Sequence, residues 1–167
     1  RRLPQRPPGL EDAVTVGADL RAEAAGILAA VLFDGRSLKS VLAQALPLWP
    51  DGRDRALLEA ICFAALRHRR RYEFALSRWM EKPLIARDGI IHALLLVGLA
   101  QIDEIGLSAH AAVAATAEAA RQLGRERSVG LVNALLRRAL REGLPVADTL
   151  AITSSHPDWL VQTLTLD

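Results

Sequence analysis

The residues with the greatest chemical reach in this sequence are arginines, and they come in groups: Arg67, Arg69, Arg70 and Arg71, then Arg121, Arg125 and Arg127, then Arg137, Arg138 and Arg141, with Arg1, Arg2 and Arg6 at the start. A guanidinium is planar, permanently charged and carries five donors, so clustered arginine suits phosphate recognition. The net charge is only +2, which leaves the distribution of charge as the informative quantity. Val132, Leu135, Leu136 and Ala139 recur at helical spacing, and Arg127, Arg138 and Arg141 project from the opposite side as a basic ridge with few acids beside it. Tyr72 and Phe74 follow the triplet at 69–71, but Tyr72 shares its helical face with Leu76 and Trp79 and is predicted to be core. Phosphate contact is therefore assigned to the arginines and not to aromatic stacking.

Other reactive groups form no catalytic constellation. His68, His92, His110 and His156 lack metal-ligand spacing and have no Cys, Asp or Glu partners at helical offsets, so no metal site is expected. His92, in the most apolar stretch, is predicted to be a hydrogen-bonded structural residue. The single cysteine, Cys62, sits in "LLEAICFAAL" and is predicted to pack in the core. No glycine-rich turn joins a strand to a helix, so the sequence holds no nucleotide-binding fingerprint. Gly98 and Gly130 interrupt good helical patterns at about 1 kcal/mol each relative to alanine, which predicts close helix–helix approach at both.

The elements that must position these groups are helical. In 167 residues, 51% are hydrophobic and only 4% aromatic, the apolar share being mostly Ala, Leu and Val, which predicts a single all-α domain. Residues 1–17, rich in proline and arginine, are predicted to be a disordered tail. Asp19 and the stripe Leu20, Ala24, Ile27, Leu28 and Val31 mark a first helix, ending at the "DG" of 34–35. Ser37 caps a short second helix and Asp51 opens a third. The run "RHRRRY" interrupts that third stripe, and a fourth helix then follows to Pro83. Residues 88–105 are apolar around most of the circumference and should be the central helix. Ser108 to Gly124 and a basic-ended segment to Gly143 complete about seven helices. The longest apolar run, "ALLLVGLA", falls well short of the ~20 residues that span a bilayer, and one cysteine fits a reducing compartment, so a cytoplasmic protein without membrane contact is expected.

Taken in order, "LRAEAAGILAAVLFDGRSLKSVL", "DRALLEAICFAALRHRRRYEFAL", "LLLVGLAQI", "AHAAVAATAEAAR" and "GLVNALLRR" resemble the NusB-type RNA-binding domain. Within that family the chain is similar both to the free-standing antitermination factor and to the N-terminal domain of the RsmB/Sun ribosomal RNA methyltransferases. The stretch "SSHPDWLVQTLTLD" tips the balance: it reads as a capped helix start with Trp159 as its anchor, and "SHPDWLV" resembles the segment by which the methyltransferases leave this domain. The resemblance implies a NusB-like domain over 18–145 and a linking segment over 146–167. It implies ribosomal RNA and an intramolecular catalytic domain as partners, and S-adenosylmethionine as a cofactor held in that other domain, none being held by this chain. The methyl transfer, to cytosine carbon 5, would belong there too, leaving this chain without catalysis of its own. It also matches Arg21, near the start of the first helix, to a region that NusB-type domains turn toward RNA, and Arg67, Arg137 and Arg138 to family basic positions. Arg69, Arg70 and Arg71 rest on charge clustering alone. A helical domain that packs on its own catalytic partner and binds no RNA is the remaining alternative.

Overall fold

The computed structural model describes residues 10–84, 87–106 and 108–145, with side chains from residue 17 onward. Seven α-helices and no strand occur among the described residues: α1 (Leu10–Phe33), α2 (Leu38–Ala45), α3 (Gly52–Arg67), α4 (Arg69–Trp79), α5 (Gly89–Ala100), α6 (Ala109–Gln122) and α7 (Val129–Glu142). Two of the expected N-caps are in place, Ser37 accepting from the Ser40 amide at 3.1 Å and Asp51 from that of Arg53 at 2.8 Å, whereas Ser108 makes no capping bond and Asp19 lies within α1. The first nine residues of the proposed tail, the segment 146–167 and Trp159 lie outside the described residues.

Two boundaries differ from the sequence reading. Helix α1 begins at Leu10, so the second half of the proposed tail is helical in its backbone. Pro4, Pro7 and Pro8 all precede that start in the sequence, so none of them falls inside the helix. The basic run after α3 does not interrupt the helical path over several residues. His68 alone leaves helical geometry (φ −105°, ψ 17°), and Arg69 already starts α4.

Helix α5 is the axis of the domain. Every residue from Ile91 to Ala100 is buried, as its all-round apolar sequence requires, and α1, α3, α6 and α7 all pack on it. It does not stop at Ala100 but continues into a single π-helical turn, Gln101–Ile105, closed by the Gly106 amide bonding to the Gln101 carbonyl at 3.2 Å with Gly106 at φ +69°. Cys62, Tyr72 and the α7 stripe Val132, Leu135, Leu136 and Ala139 lie in the common core, as predicted.

Of the two mid-helix glycines only Gly98 marks a close approach. A Cβ there would lie 2.6 Å from both Leu136 methyls, so its absence lets α7 seat on α5, whereas Gly130 faces open space on the outer side of α7. Gly98→Ala should therefore destabilise by about 1 kcal/mol or more, overpacking outweighing the gain in helix propensity. Gly130→Ala should stabilise by up to about 1 kcal/mol. Urea unfolding of the two variants beside the parent chain measures both.

Candidate nucleic-acid interface

The arginines selected from sequence divide sharply once their partners are located. Arg21 is 8% exposed and is no surface cation. Its Nε donates to Gln101 Oε1 at 2.9 Å and its NH1 to the Gly17 carbonyl at 3.2 Å. Gln101 in turn donates to the Val97 carbonyl at 3.1 Å and to Thr116 Oγ1 at 3.0 Å, and the Thr116 hydroxyl donates to the Ala112 carbonyl at 2.7 Å. This chain of bonds joins α1, the end of α5 and α6. Burial pulls the Arg21 pKa below its ordinary value, with Asp54 on α3 opposing the shift. Arg21, matched by resemblance to a region turned toward RNA, is thus buried in the α1–α6 seam with its Nε and NH1 bonded inside the domain.

The cluster at the α3–α4 junction is exposed in part but electrically spoken for. Arg67 pairs with Glu104 at 2.7 Å, Arg69 with Glu73 one turn on, and Arg71 with Asp103 at 2.8 Å. His68 Nε2 adds a 2.5 Å contact to Glu104, and the Tyr72 hydroxyl donates to Asp103 at 2.8 Å. Arg70 is half-buried and engaged as well. Asp103 and Glu104 belong to the π-helical turn, so its two carboxylates meet four donors from the α3–α4 corner. A phosphate approaching these arginines would meet charge already offset by neighbouring carboxylates.

Helix α7 differs. Arg127, Arg137 and Arg141 are exposed and form no ion pair with any described residue. Arg137 and Arg141 stand one helical turn apart on the outer face, beside the open Gly130 and the exposed Ala134. Arg138, on the flank, donates from Nε to Glu142 Oε2 at 2.8 Å, and its Cζ lies over the Trp79 indole 5.4 Å from the ring centroid. The loop before α7 is anchored by Arg121 to Glu118 and Glu126, and by Arg125 to Asp88 at 2.8 Å. Sequence reading gave Trp79 a core role and did not find its pairing with Arg138, because the two come from helices distant in the chain.

The remaining chemically capable groups do not add a second site. Cys62 is fully buried and desolvation raises its thiol to about 12, so it holds its proton at neutral pH. A cleft of about 260 Å³ between α4 and α5 is lined by Glu73, Glu81, Leu76, Met80 and His92, an acidic rim unsuited to phosphate. His92 differs from its expected role, since its buried Nε2 has no hydrogen-bond partner and stands 3.9 Å from Glu73. Among the described residues no His, Cys, Asp and Glu side chains converge as a metal site, and no helix is long and apolar enough to cross a membrane.

Comparison with known proteins agrees with this helical architecture. Residues 18–141 match the family model described as the NusB family. The chain is 52% identical over 156 residues to the ribosomal RNA small subunit methyltransferase B of Xanthomonas campestris, covering 93% of this chain and 35% of that protein. It is 50% identical over 147 residues to the like-named protein of Xylella fastidiosa, covering 88% and 33%, and 39% identical over 151 residues to that of Vibrio vulnificus, covering 87% and 35%. The chain thus spans about a third of the length of these relatives.

Two stability measurements test the placement of the buried groups. Arg21→Ala should cost about 2 kcal/mol, by leaving Gln101 unsatisfied, whereas Arg137→Ala should stay within about 0.5 kcal/mol. Burial pushes the His92 imidazole below its ordinary 6.5, Glu73 opposing and Arg69 reinforcing the shift. Below pH 6.5 the unfolded chain takes up a proton that the folded chain resists, so stability falls as pH drops through that region. Thermal unfolding between pH 7.5 and 5.5 should show this loss, and His92→Leu should flatten it.

Proposed function

Because the match over residues 18–141 makes this chain a member of the NusB family, we propose that it is the RNA-docking region of a small-subunit ribosomal RNA methyltransferase. The observation that supports docking is the outer face of α7 and the turn before it, where Arg137 and Arg141, and Arg127 in that turn, present charge that no described carboxylate neutralises. Exposed, unpaired guanidinium groups on a rigid helix meet phosphate with little reorganisation and make sequence-tolerant backbone contacts. Arg138 adds a partly neutralised fourth. Arg67, Arg69 and Arg71, each paired with a carboxylate, become secondary contacts, and Arg21 a scaffold residue.

Methyl transfer itself has no seat among the described residues. S-adenosylmethionine and the reacting cysteine are proposed for a separate domain, Cys62 being a buried, protonated core residue. The relatives are about three times as long, and catalysis, the cytosine target and the cytoplasmic setting are proposed for a longer protein of their kind. In that protein this domain would hold the ribosomal RNA while a separate domain performs the chemistry. A free-standing antitermination factor is less well supported, since these relatives share the methyltransferase description.

The salt dependence of RNA binding tests this reading. Each single-strand phosphate contact contributes about 0.7 to the slope of log affinity against log salt, so replacing Arg127, Arg137 and Arg141 together by Gln should flatten the slope by up to about 2. Replacing Arg67, Arg69 and Arg71 should flatten it by less, because their charges are already met. If the α7 variant binds ribosomal RNA fragments with unchanged affinity and slope, the docking role fails and a purely structural domain is the better description.

A further inference from the structure

The pairing of Arg138 with Trp79 goes beyond what electrostatic docking requires. Arg138 is held on two sides: its Cζ sits over the indole at 5.4 Å, and its Nε is fixed by Glu142 at 2.8 Å. Its side chain nevertheless remains 41% exposed. The guanidinium is thus restrained in orientation with part of it open to solvent. Trp79 is the last residue of α4 and only half-buried, so an aromatic surface reaches the edge of the basic face. Arg137 and Arg141 lie on the same side of Arg138 around the α7 circumference and are separated by about 6 Å of helix rise, the scale of one nucleotide step. Phosphates held by Arg137 and Arg141 would therefore lie next to Arg138.

We propose that Trp79 and Arg138 form a stacking platform for one unpaired nucleobase, with Arg137 and Arg141 engaging the flanking phosphates. The inference rests on the RNA-docking reading and adds a specific ligand group to it. Guanidinium planes are weakly hydrated and stack on bases much as aromatic rings do, and every base offers a π-face, so such a platform selects single-stranded over paired RNA without selecting sequence. Glu142 has a definable part: by holding Nε it keeps the guanidinium over the indole when the base is absent. Lysine at position 138 would keep the charge and lose the plane, which separates stacking from electrostatics.

The test compares two probes, a short single-stranded RNA oligonucleotide and an abasic ribose–phosphate oligomer of equal length, titrated into the full chain and followed by fluorescence anisotropy. Arg138→Lys should weaken binding of the RNA about tenfold and change binding of the abasic oligomer by less than twofold, with the salt slope unaltered. Trp79→Leu should act in the same direction, and because Trp79 packs partly on the core, the Arg138→Lys variant decides the matter if the Trp79→Leu protein unfolds. An equal loss on both probes would make Arg138 a phosphate contact only and overturn the platform. If Arg138→Lys binds RNA like the parent while Arg137 and Arg141 replacements weaken it, the platform is also overturned and the docking reading stands. Failure of the parent chain to bind either probe removes both.

Discussion

The π-helical turn at the end of α5 is the point on which the domain depends. Helix α5 is buried along its length, and a buried helix must still satisfy the polar groups at its end. The widened turn solves this by sending Gln101 inward, where it is completely buried between Arg21 of α1 and Thr116 of α6, and Asp103 and Glu104 outward to the α3–α4 corner. Four other helices are thereby tied to five consecutive residues. A buried amide bridging two helices is costly when half satisfied and rigid when complete, and here every heavy atom of the Gln101 amide has a partner.

The same turn decides the electrostatic character of the surface. By supplying two carboxylates to the α3–α4 junction, it offsets the charge of Arg67 and Arg71, two members of the densest arginine run. Exposed ion pairs contribute little to stability, so the effect of this arrangement falls on recognition more than on folding. Of the other grouped arginines, Arg137 and Arg141 on the outer face of α7, with Arg127 just before it, are met by no described carboxylate. That helix is fixed from behind by its apolar stripe and by the contact of Leu136 with Gly98, so its arginines project from a rigid base.

Much of the architecture was legible along the chain. The number and order of helices, the Ser37 and Asp51 caps, the buried character of α5 and the core placement of Cys62 follow from periodicity and capping, which act over three or four residues. The polar hub left a trace as well, since Gln101 follows directly on the apolar run that forms α5, where a lone amide needs buried partners. Gly130 shows the limit of such reading: a helical glycine signals either a close neighbour or none, and the sequence around it does not say which.

The roles of the arginines were decided only by the tertiary structure. Arg71 meets an acid 32 positions away, Arg67 one 37 positions away, and Arg21 an amide 80 positions away. By contrast, the pairings of Arg69 with Glu73 and Arg138 with Glu142 are local helical spacings that the sequence already contained. The sequence by itself determined that this chain is a helical domain carrying clustered arginine. Which arginine keeps its charge available is a matter of distance in space, because Coulomb attraction and hydrogen bonding depend on the separation of atoms, and that separation is set when α5 draws the other helices around its final turn.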